Sequence, residues 1–305
     1  MVISDILTVT LILTLTLNDP CHAVKEMRAA MLVLYIQDCF LPGGSVAVNQ
    51  GETIIPIINN IRKDSGELFK LVVLSKESHC PHHVSFASSH PGKAPYDVVQ
   101  IKYLTNGTLC SDNINQTKVP GVLTCPANLE TLPFQQKLWP DHCVEDVTSG
   151  PTSSSISKQL TVSTSDVIIK TGTTCQLDTY SAFYDNGHLF ETELEGTLKS
   201  NQINTVFVMG LAPDFDVTHT ALDAISLGYK TFTVVDASKF RANGTEDEAL
   251  AEMSEKGVVL IRSDEVKDFL TGKMPRNTAK KMATQGTQLP AFILYVVVAH
   301  CYFLN

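Results

Sequence analysis

Charge is scarce in this chain and never gathers into a block of one sign. Charged residues are 18% of 305, with Lys+Arg 23 set against Asp+Glu 32. The basic face that a nucleic acid requires is therefore missing, and no nucleic-acid partner is expected. The formal net charge of -9 says only that the chain favours solubility. No internal repeat is visible. Disordered and collagen-like proteins are excluded too, because 44% of the residues are hydrophobic. The length suits one large domain or two, and a chain this size buries about 70–75% of its unfolded surface.

The two ends depart from this evenness. Residues 6–17 (ILTVTLILTLTL) form an uncharged apolar run, followed by Asn18-Asp19-Pro20 and the small-x-small triplet Cys21-His22-Ala23. No basic residue precedes the run, yet its length and the triplet read as a secretory signal peptide over residues 1–23. The alternative is a short buried strand or helix. At the far end, Leu289–Asn305 is a second run without charge, preceded by the polar spacer Lys280–Gln288 and the small triplet Asn277-Thr278-Ala279. That order reads as a GPI-attachment signal with Asn277 as the site and residues 278–305 removed. A short C-terminal membrane span is the alternative. Both ends place residues 24–277 outside the cell, secreted or lipid-anchored to the outer face of the plasma membrane, where a protein partner is accessible.

Internal features agree. N-x-[ST] sequons stand at Asn106, Asn115 and Asn243, and are expected to carry glycans. Cys21 and Cys301 fall in segments expected to be cleaved. Cys39, Cys80, Cys110, Cys125, Cys143 and Cys175 remain, an even number that permits three disulfides. Cys110–Cys125 is the local pairing, closing the loop that carries two sequons.

Between the ends, short apolar runs alternate with longer amphipathic ones. Ala30–Ile36, Leu71–Ser75, Asp166–Lys170, Thr205–Gly210, Thr231–Asp236 and Gly257–Ile261 read as strands covered on both faces. Glu52–Asp64, His188–Asn201, Val217–Leu227 and Glu246–Lys256 read as helices; Gly228 and Gly257 supply C-terminal stops. This alternation predicts a three-layer α/β/α, Rossmann-like domain with a mostly parallel six-stranded sheet. Ligand sites in such sheets gather at the carboxyl ends of the strands. The interval Tyr96–Lys137 shows no clear period and reads as a glycosylated surface insertion, about residues 97–137, within the one domain.

The segments at the strand ends are specific. Gln37-Asp38-Cys39-Phe40-Leu41-Pro42-Gly43-Gly44 comes after the first strand and Glu77-Ser78-His79-Cys80 after the second. His83 to Gly92 reads HxSFASxHPG. Leu138 to Cys143 reads LWPxHC, and Tyr180 to Phe183 reads YSAF. After the fourth strand comes Gly210-Leu211-Ala212-Pro213-Asp214-Phe215-Asp216. Over roughly residues 28–265 the chain closely resembles nicotinamidases, members of the isochorismatase-like hydrolases.

The resemblance implies an amide hydrolase chemistry. A cysteine thiolate, activated by a helix N-terminus and an aspartate base, attacks a nicotinamide carbonyl. A lysine and backbone N–H groups stabilise the oxyanion. A divalent metal held by one carboxylate and two histidines orients the pyridine ring. The metal ligands fall on Glu77, His79 and His142, with Glu77 standing where the family has aspartate. Zinc, or Mn or Fe, is the expected ion, because imidazole ligands favour such metals. Phe40 and Trp139 match the lining of the ring pocket, though plain core packing explains them equally well. His82 and His83 are expected to be structural.

The triad positions do not match. Tyr35 stands at the base aspartate and Asp216 at the nucleophile. Thr171 stands at the lysine, with Lys170 one residue earlier. A carboxylate is weakly nucleophilic, and a phenol is mostly protonated at neutral pH. These positions act as a unit, so their loss predicts negligible turnover by the covalent route. The expectation is a catalytically impaired homologue that keeps a metal and a pocket for a pyridine carboxamide or carboxylate. Asp216 has a plain structural reading as a helix cap. The alternatives are an active amidase, using metal-activated water or a register-shifted triad with Lys170, and a surface structural or interaction protein. Cys39 and Cys80 lie in neighbouring strand-end loops and are expected to pair.

Overall fold

The computed structural model describes residues 26–241 and 246–273. The signal peptide, Asn243, Asn277 and the C-terminal tail expected from the sequence lie outside the described residues. Ten strands are described: β1 (Ala29–Leu34), β2 (Leu71–Glu77), β3 (Val98–Leu104), β4 (Leu109–Ser111), β5 (Leu123–Thr124), β6 (Thr131–Lys137), β7 (Val167–Thr171), β8 (Thr205–Leu211), β9 (Lys230–Lys239) and β10 (Val259–Ile261). The α-helices are α1 (Ile55–Ser65), α2 (Leu194–Ser200), α3 (Thr218–Ser226), α4 (Glu246–Glu255) and α5 (Val266–Leu270).

The main sheet has the order β10-β9-β8-β1-β2-β7, and every pairing in it is parallel. Its central strands β1 and β8 are buried along their whole length, which is why their sequences are continuously apolar rather than alternating. Helix α1 packs on α5, and α3 packs on α4. Ile55, Ile58 and Ile61 of α1 join the main core, while Ala221 of α3 and Met253 of α4 form a separate cluster with Val258. Helices therefore cover both faces, as the sequence predicts. The expected helix over His188–Asn201 is confined to α2; Asp185 instead folds residues 185–190 into a loop by accepting from the backbone N–H groups of Gly187 and Phe190.

The chain leaves β1 for β2 and β7 on one side, then returns to β8 on the other side of β1. The direction of winding reverses between β1 and β8, and the crevice beyond their carboxyl ends is where such sheets bind ligands. Tyr35 comes directly after β1 there, and Asp216 lies five residues beyond the end of β8.

The interval read as an irregular insertion is instead a second sheet, with the order β5-β4-β3-β6. Val99, Ile101 and Tyr103 of β3 turn inward onto Leu109, Val119, Leu138 and Leu177, while Val98 and Gln100 turn outward. This two-residue period is present in the sequence, but polar residues break it in the partner strands. Strand β6 runs directly into Leu138-Trp139 and so carries the segment bearing His142 to the main sheet. Asn106 lies exposed in the β3–β4 connection, its side chain accepting from the Thr108 N–H at 3.1 Å, and Asn115 is exposed in a single short turn.

The cysteines pair as Cys39–Cys143, Cys80–Cys175 and Cys110–Cys125. The third is the expected pairing. The first two correct the expected Cys39–Cys80 bond. The loop after β1 turns toward residues 151–156, with the Asp38 N–H donating to Ser155 O and the Cys39 N–H to Ser153 O, and this brings Cys39 to Cys143. Strand β2 pairs with β7, so the loop after β2 meets the loop after β7 and places Cys80 on Cys175.

Candidate active site

Glu77 is the last residue of β2 and is placed by its backbone. The Gln37 side chain donates to Glu77 O at 2.9 Å and to Ser154 O at 2.8 Å, and its carbonyl accepts from the Glu77 N–H at 2.8 Å. Gln37 is fully buried, so this clamp lies out of reach of competing water. Its sequence neighbours carry the family resemblance; its own role becomes visible only in the fold.

The Glu77 carboxylate meets two imidazoles. One oxygen, Oε2, lies 3.1 Å from Nε2 of His79 and 3.2 Å from Nε2 of His142. All three side chains are buried. Nδ1 of His79 faces Gly172 O at 3.1 Å, and Nδ1 of His142 faces Pro140 O at 2.7 Å. A carbonyl only accepts, so each Nδ1 carries the proton and donates it. In the neutral ring each Nε2 then offers a lone pair, and both lone pairs converge on one carboxylate oxygen. That arrangement needs a cation between the three groups, either protons on the rings or a metal ion. Paired imidazoles oriented through the second nitrogen are how proteins present histidine to zinc. The donor set thus fits a divalent transition metal. Burial alone would depress the His79 pKa, but the Glu77 carboxylate beside it prevails and raises it. Burial would likewise raise Glu77, yet the two imidazoles hold it well below the ordinary carboxylate range.

His83, Asp178 and His79 form a second cluster, but its atoms are already engaged. His83 donates from Nε2 to Leu177 O at 2.9 Å, and its Nδ1 accepts from the Ser85 hydroxyl at 2.8 Å. Asp178 accepts from the Gln136 amide at 2.7 Å and from the Thr179 N–H at 3.0 Å. His83 holds its loop together, whereas His82 is exposed.

Tyr35, Thr171 and Asp216, which the resemblance sets at the triad positions, gather in the crevice beside this centre. Tyr35 is fully buried, with backbone φ +57°, and its hydroxyl lies 3.4 Å from Tyr180 O. Burial first, then the negative fields of Asp216 and Glu77, push its pKa well above that of a free phenol. Thr171, the last residue of β7, is buried with its hydroxyl beside the Tyr35 phenol. Asp216 is buried in a wide helical turn, Pro213–Val217, that leads into α3. Burial, reinforced by Glu77, Asp214 and Asp178, raises its pKa well above the carboxylate range, against a smaller opposing pull from Arg241. Asp216 is not the helix cap anticipated from sequence: α3 begins at Thr218 with Val217 at the cap position and no side-chain cap bond. Lys170 lies outside the crevice, more than half exposed, with Nζ 3.4 Å from Glu145 Oε1. Strand alternation sends Thr171 inward and Lys170 outward, so the shifted register that would bring in the lysine is not adopted.

Phe40 packs edge-on against His142 at 5.8 Å between centroids and lies 6.2 Å from Tyr35. Trp139 meets Phe215 at 5.7 Å, and Phe215 meets Tyr180 at 5.5 Å. Lys137 Nζ and Arg241 Cζ stand 4.9 and 4.4 Å from the Trp139 ring centroid. Tyr180, Phe215, Lys137 and Arg241 join the site without having been singled out individually from sequence. Tyr180 and Phe215 fall inside quoted motifs, but nothing local marks Lys137 or Arg241.

The family model for the isochorismatase domain matches residues 109–265. A nicotinamidase from Acinetobacter baylyi is 33% identical over 237 residues, covering 77% of this chain and 93% of its own. A nicotinamidase/pyrazinamidase structure from Acinetobacter baumanii superposes with a TM-score of 0.63 at 34% identity, covering 79% of this chain and 99% of its own. The pyrazinamidase of Pyrococcus horikoshii, solved in complex with zinc, has a TM-score of 0.55 at 25% identity, over 77% of this chain and 99% of its own. A protein from L. infantum, solved in complex with nicotinate, has a TM-score of 0.58 at 26% identity, over 78% and 94%.

Proposed function

The chain belongs to the isochorismatase family as a homologue of the nicotinamidases, which are amide hydrolases, and from that premise we propose that it is a catalytically impaired member retaining a metal and pyridine pocket. One observation carries this reading: a buried carboxyl, Asp216, which the resemblance sets at the nucleophile's position, lies near the clustered Glu77, His79 and His142. A carboxylate is weakly nucleophilic toward an unactivated amide, and the anhydride it would form is costly, so Asp216 is a poor replacement for a thiolate. The neighbouring phenol of Tyr35 and hydroxyl of Thr171 supply neither a base nor a cation.

Glu77, His79 and His142 would hold the ion, with zinc the best match to two imidazoles and one carboxylate. When bound, the ion supplies a Lewis acid that a ring nitrogen can reach. Phe40 and Trp139 enclose the ring, and Gln37 keeps the Glu77 backbone in place. The small-molecule ligand is a pyridine carboxamide or carboxylate, the class to which the nicotinate in the L. infantum structure belongs.

We place the mature chain outside the cell, glycosylated and held to the membrane through a lipid anchor at Asn277. The three disulfides support an oxidising compartment, and the exposure of Asn106 and Asn115 suits glycan attachment. Calorimetry of the zinc-loaded protein with nicotinamide and nicotinate, run beside an ammonia-release assay, tests the function. Binding without turnover is expected. Ammonia release over many cycles per molecule overturns the impaired reading, and the absence of binding by both ligands overturns the pocket.

A further inference from the structure

Each histidine of the candidate metal centre is followed directly by a disulfide cysteine: His79 by Cys80, and His142 by Cys143. The partner cysteines come from two other strand-end loops, Cys39 after β1 and Cys175 after β7. Between the two histidine segments run two backbone bonds, from the His79 N–H to Cys143 O at 2.9 Å and from the Glu145 N–H to His79 O at 2.7 Å. Beyond them, the Val84 N–H donates to Cys175 O at 2.8 Å. Disulfides and backbone bonds thus tie the loops after β1, β2 and β7 to the segment bearing His142.

The two disulfides are not equivalent. Cys39 and Cys143 are fully buried, and the loop of Cys39 is further fixed by bonds from its own N–H to Ser153 O and from the Val46 N–H to Cys39 O. Cys80 and Cys175 are half-buried. Cys175 lies beyond β7, an edge strand of the main sheet with a neighbour on one side only. Yet β7 and its exit loop supply the Gly172 carbonyl that fixes the tautomer and aim of His79. The orienting group for a metal ligand therefore hangs from an edge strand, three residues before a covalent tie to the ligand's own loop.

We propose that Cys80 and Cys175 are positioning residues for the metal centre, their disulfide holding the Gly172 carbonyl against His79 so that Nε2 stays aimed at Glu77 and His142. The inference rests on the metal reading given above. Opening the bond with a dithiol delivers two electrons and two protons to the cysteine sulfurs, and the reductant leaves as its cyclic disulfide. The tie is lost and metal affinity falls with it.

Zinc titration against a competing chelator dye, on the wild type, on Cys80→Ser with Cys175→Ser, and on Cys110→Ser with Cys125→Ser, tests the proposal. Loss of an outer-shell orienting contact weakens metal binding about 10–100-fold, and that loss is expected in the first variant only. Equal zinc affinity in the wild type and a folded Cys80/Cys175 variant overturns the proposal while leaving the metal centre standing. A wild type that takes up no zinc overturns both together. Should the variant fail to fold, the zinc-loaded wild type is treated with a dithiol and an alkylating agent, and the opened bond is mapped by mass spectrometry. Zinc release in step with alkylation of Cys80 and Cys175 supports the proposal; zinc retained with both cysteines alkylated overturns it.

Discussion

Gly172 presents its carbonyl to His79 Nδ1 at 3.1 Å while its α-carbon lies so close to the imidazole that a β-carbon would overlap the ring. Its φ of +62° is also a conformation that glycine adopts freely and other residues do not. Gly172→Ala is therefore expected to displace the His79 ring. Zinc affinity should drop at least about 10-fold, as for other lost outer-shell contacts, and the left-handed backbone should cost about 1–2 kcal/mol of stability. Zinc titration and urea denaturation read the two effects separately. Unchanged zinc affinity would mean that His79 is not held through this contact.

Asp216 gives a pH signature. Its pKa in the folded protein is raised, chiefly by burial, so the unfolded chain ionises first as pH rises. The unfolded state then binds fewer protons than the native state, and stability falls with increasing pH from about pH 4 upward. Asp216→Asn removes this effect. The variant is expected to gain on the wild type as pH rises, by about 1.4 kcal/mol for each unit by which the native pKa is displaced. Urea denaturation of both metal-free proteins at pH 4, 6 and 8 measures the gap; a gap that does not widen contradicts the assignment.

Building the family's triad into this chain tests whether the frame is competent. Asp216→Cys alone lacks its base and its cation and should release no measurable ammonia from nicotinamide. Combined with Tyr35→Asp and Thr171→Lys, it should exceed the single variant by about 10²-fold or more, because such residues act as one unit. Equal rates in the single and triple variants, with both folded and metal-loaded, would show that the loss lies elsewhere in the pocket.

The Cys39–Cys143 bond spans 104 residues and Cys110–Cys125 only 15. In the chain-entropy account, removing the longer loop's bond costs about 4–5 kcal/mol and the shorter about 3 kcal/mol. Paired Cys→Ser variants compared by urea denaturation should show that order. The reverse order would mean that strain or residual structure, rather than loop closure, governs these bonds.

Parallel strands write themselves plainly into a sequence. The continuous apolar runs of β1 and β8 mark the sheet centre, and the motifs after them mark its ligand edge. Glu77, His79 and His142 are reached from the sequence only through the family resemblance that their flanking motifs carry, and the fold brings them together. Gln37 was not, since a buried amide clamping a distant backbone leaves no local pattern. Cys39–Cys143 was hidden for the same reason: it depends on how the loop after β1 turns toward residues 151–156. The β3–β6 sheet was missed because its inward positions alternate with polar residues over short strands. Asp216 read as a cap because an acid before a helix usually is one; the wide turn that buries it instead is a tertiary effect.

Tyr35 stands in left-handed backbone just past the end of β1. A φ of +57° puts an aromatic residue in a region where an L-side chain is disfavoured by about 1–2 kcal/mol, and where asparagine and aspartate are several-fold enriched. The end of β1 thus holds a backbone conformation that a short polar side chain adopts more readily than a phenol does. An aspartate or asparagine placed there would relieve a standing tension in the main chain, while the phenol endures it.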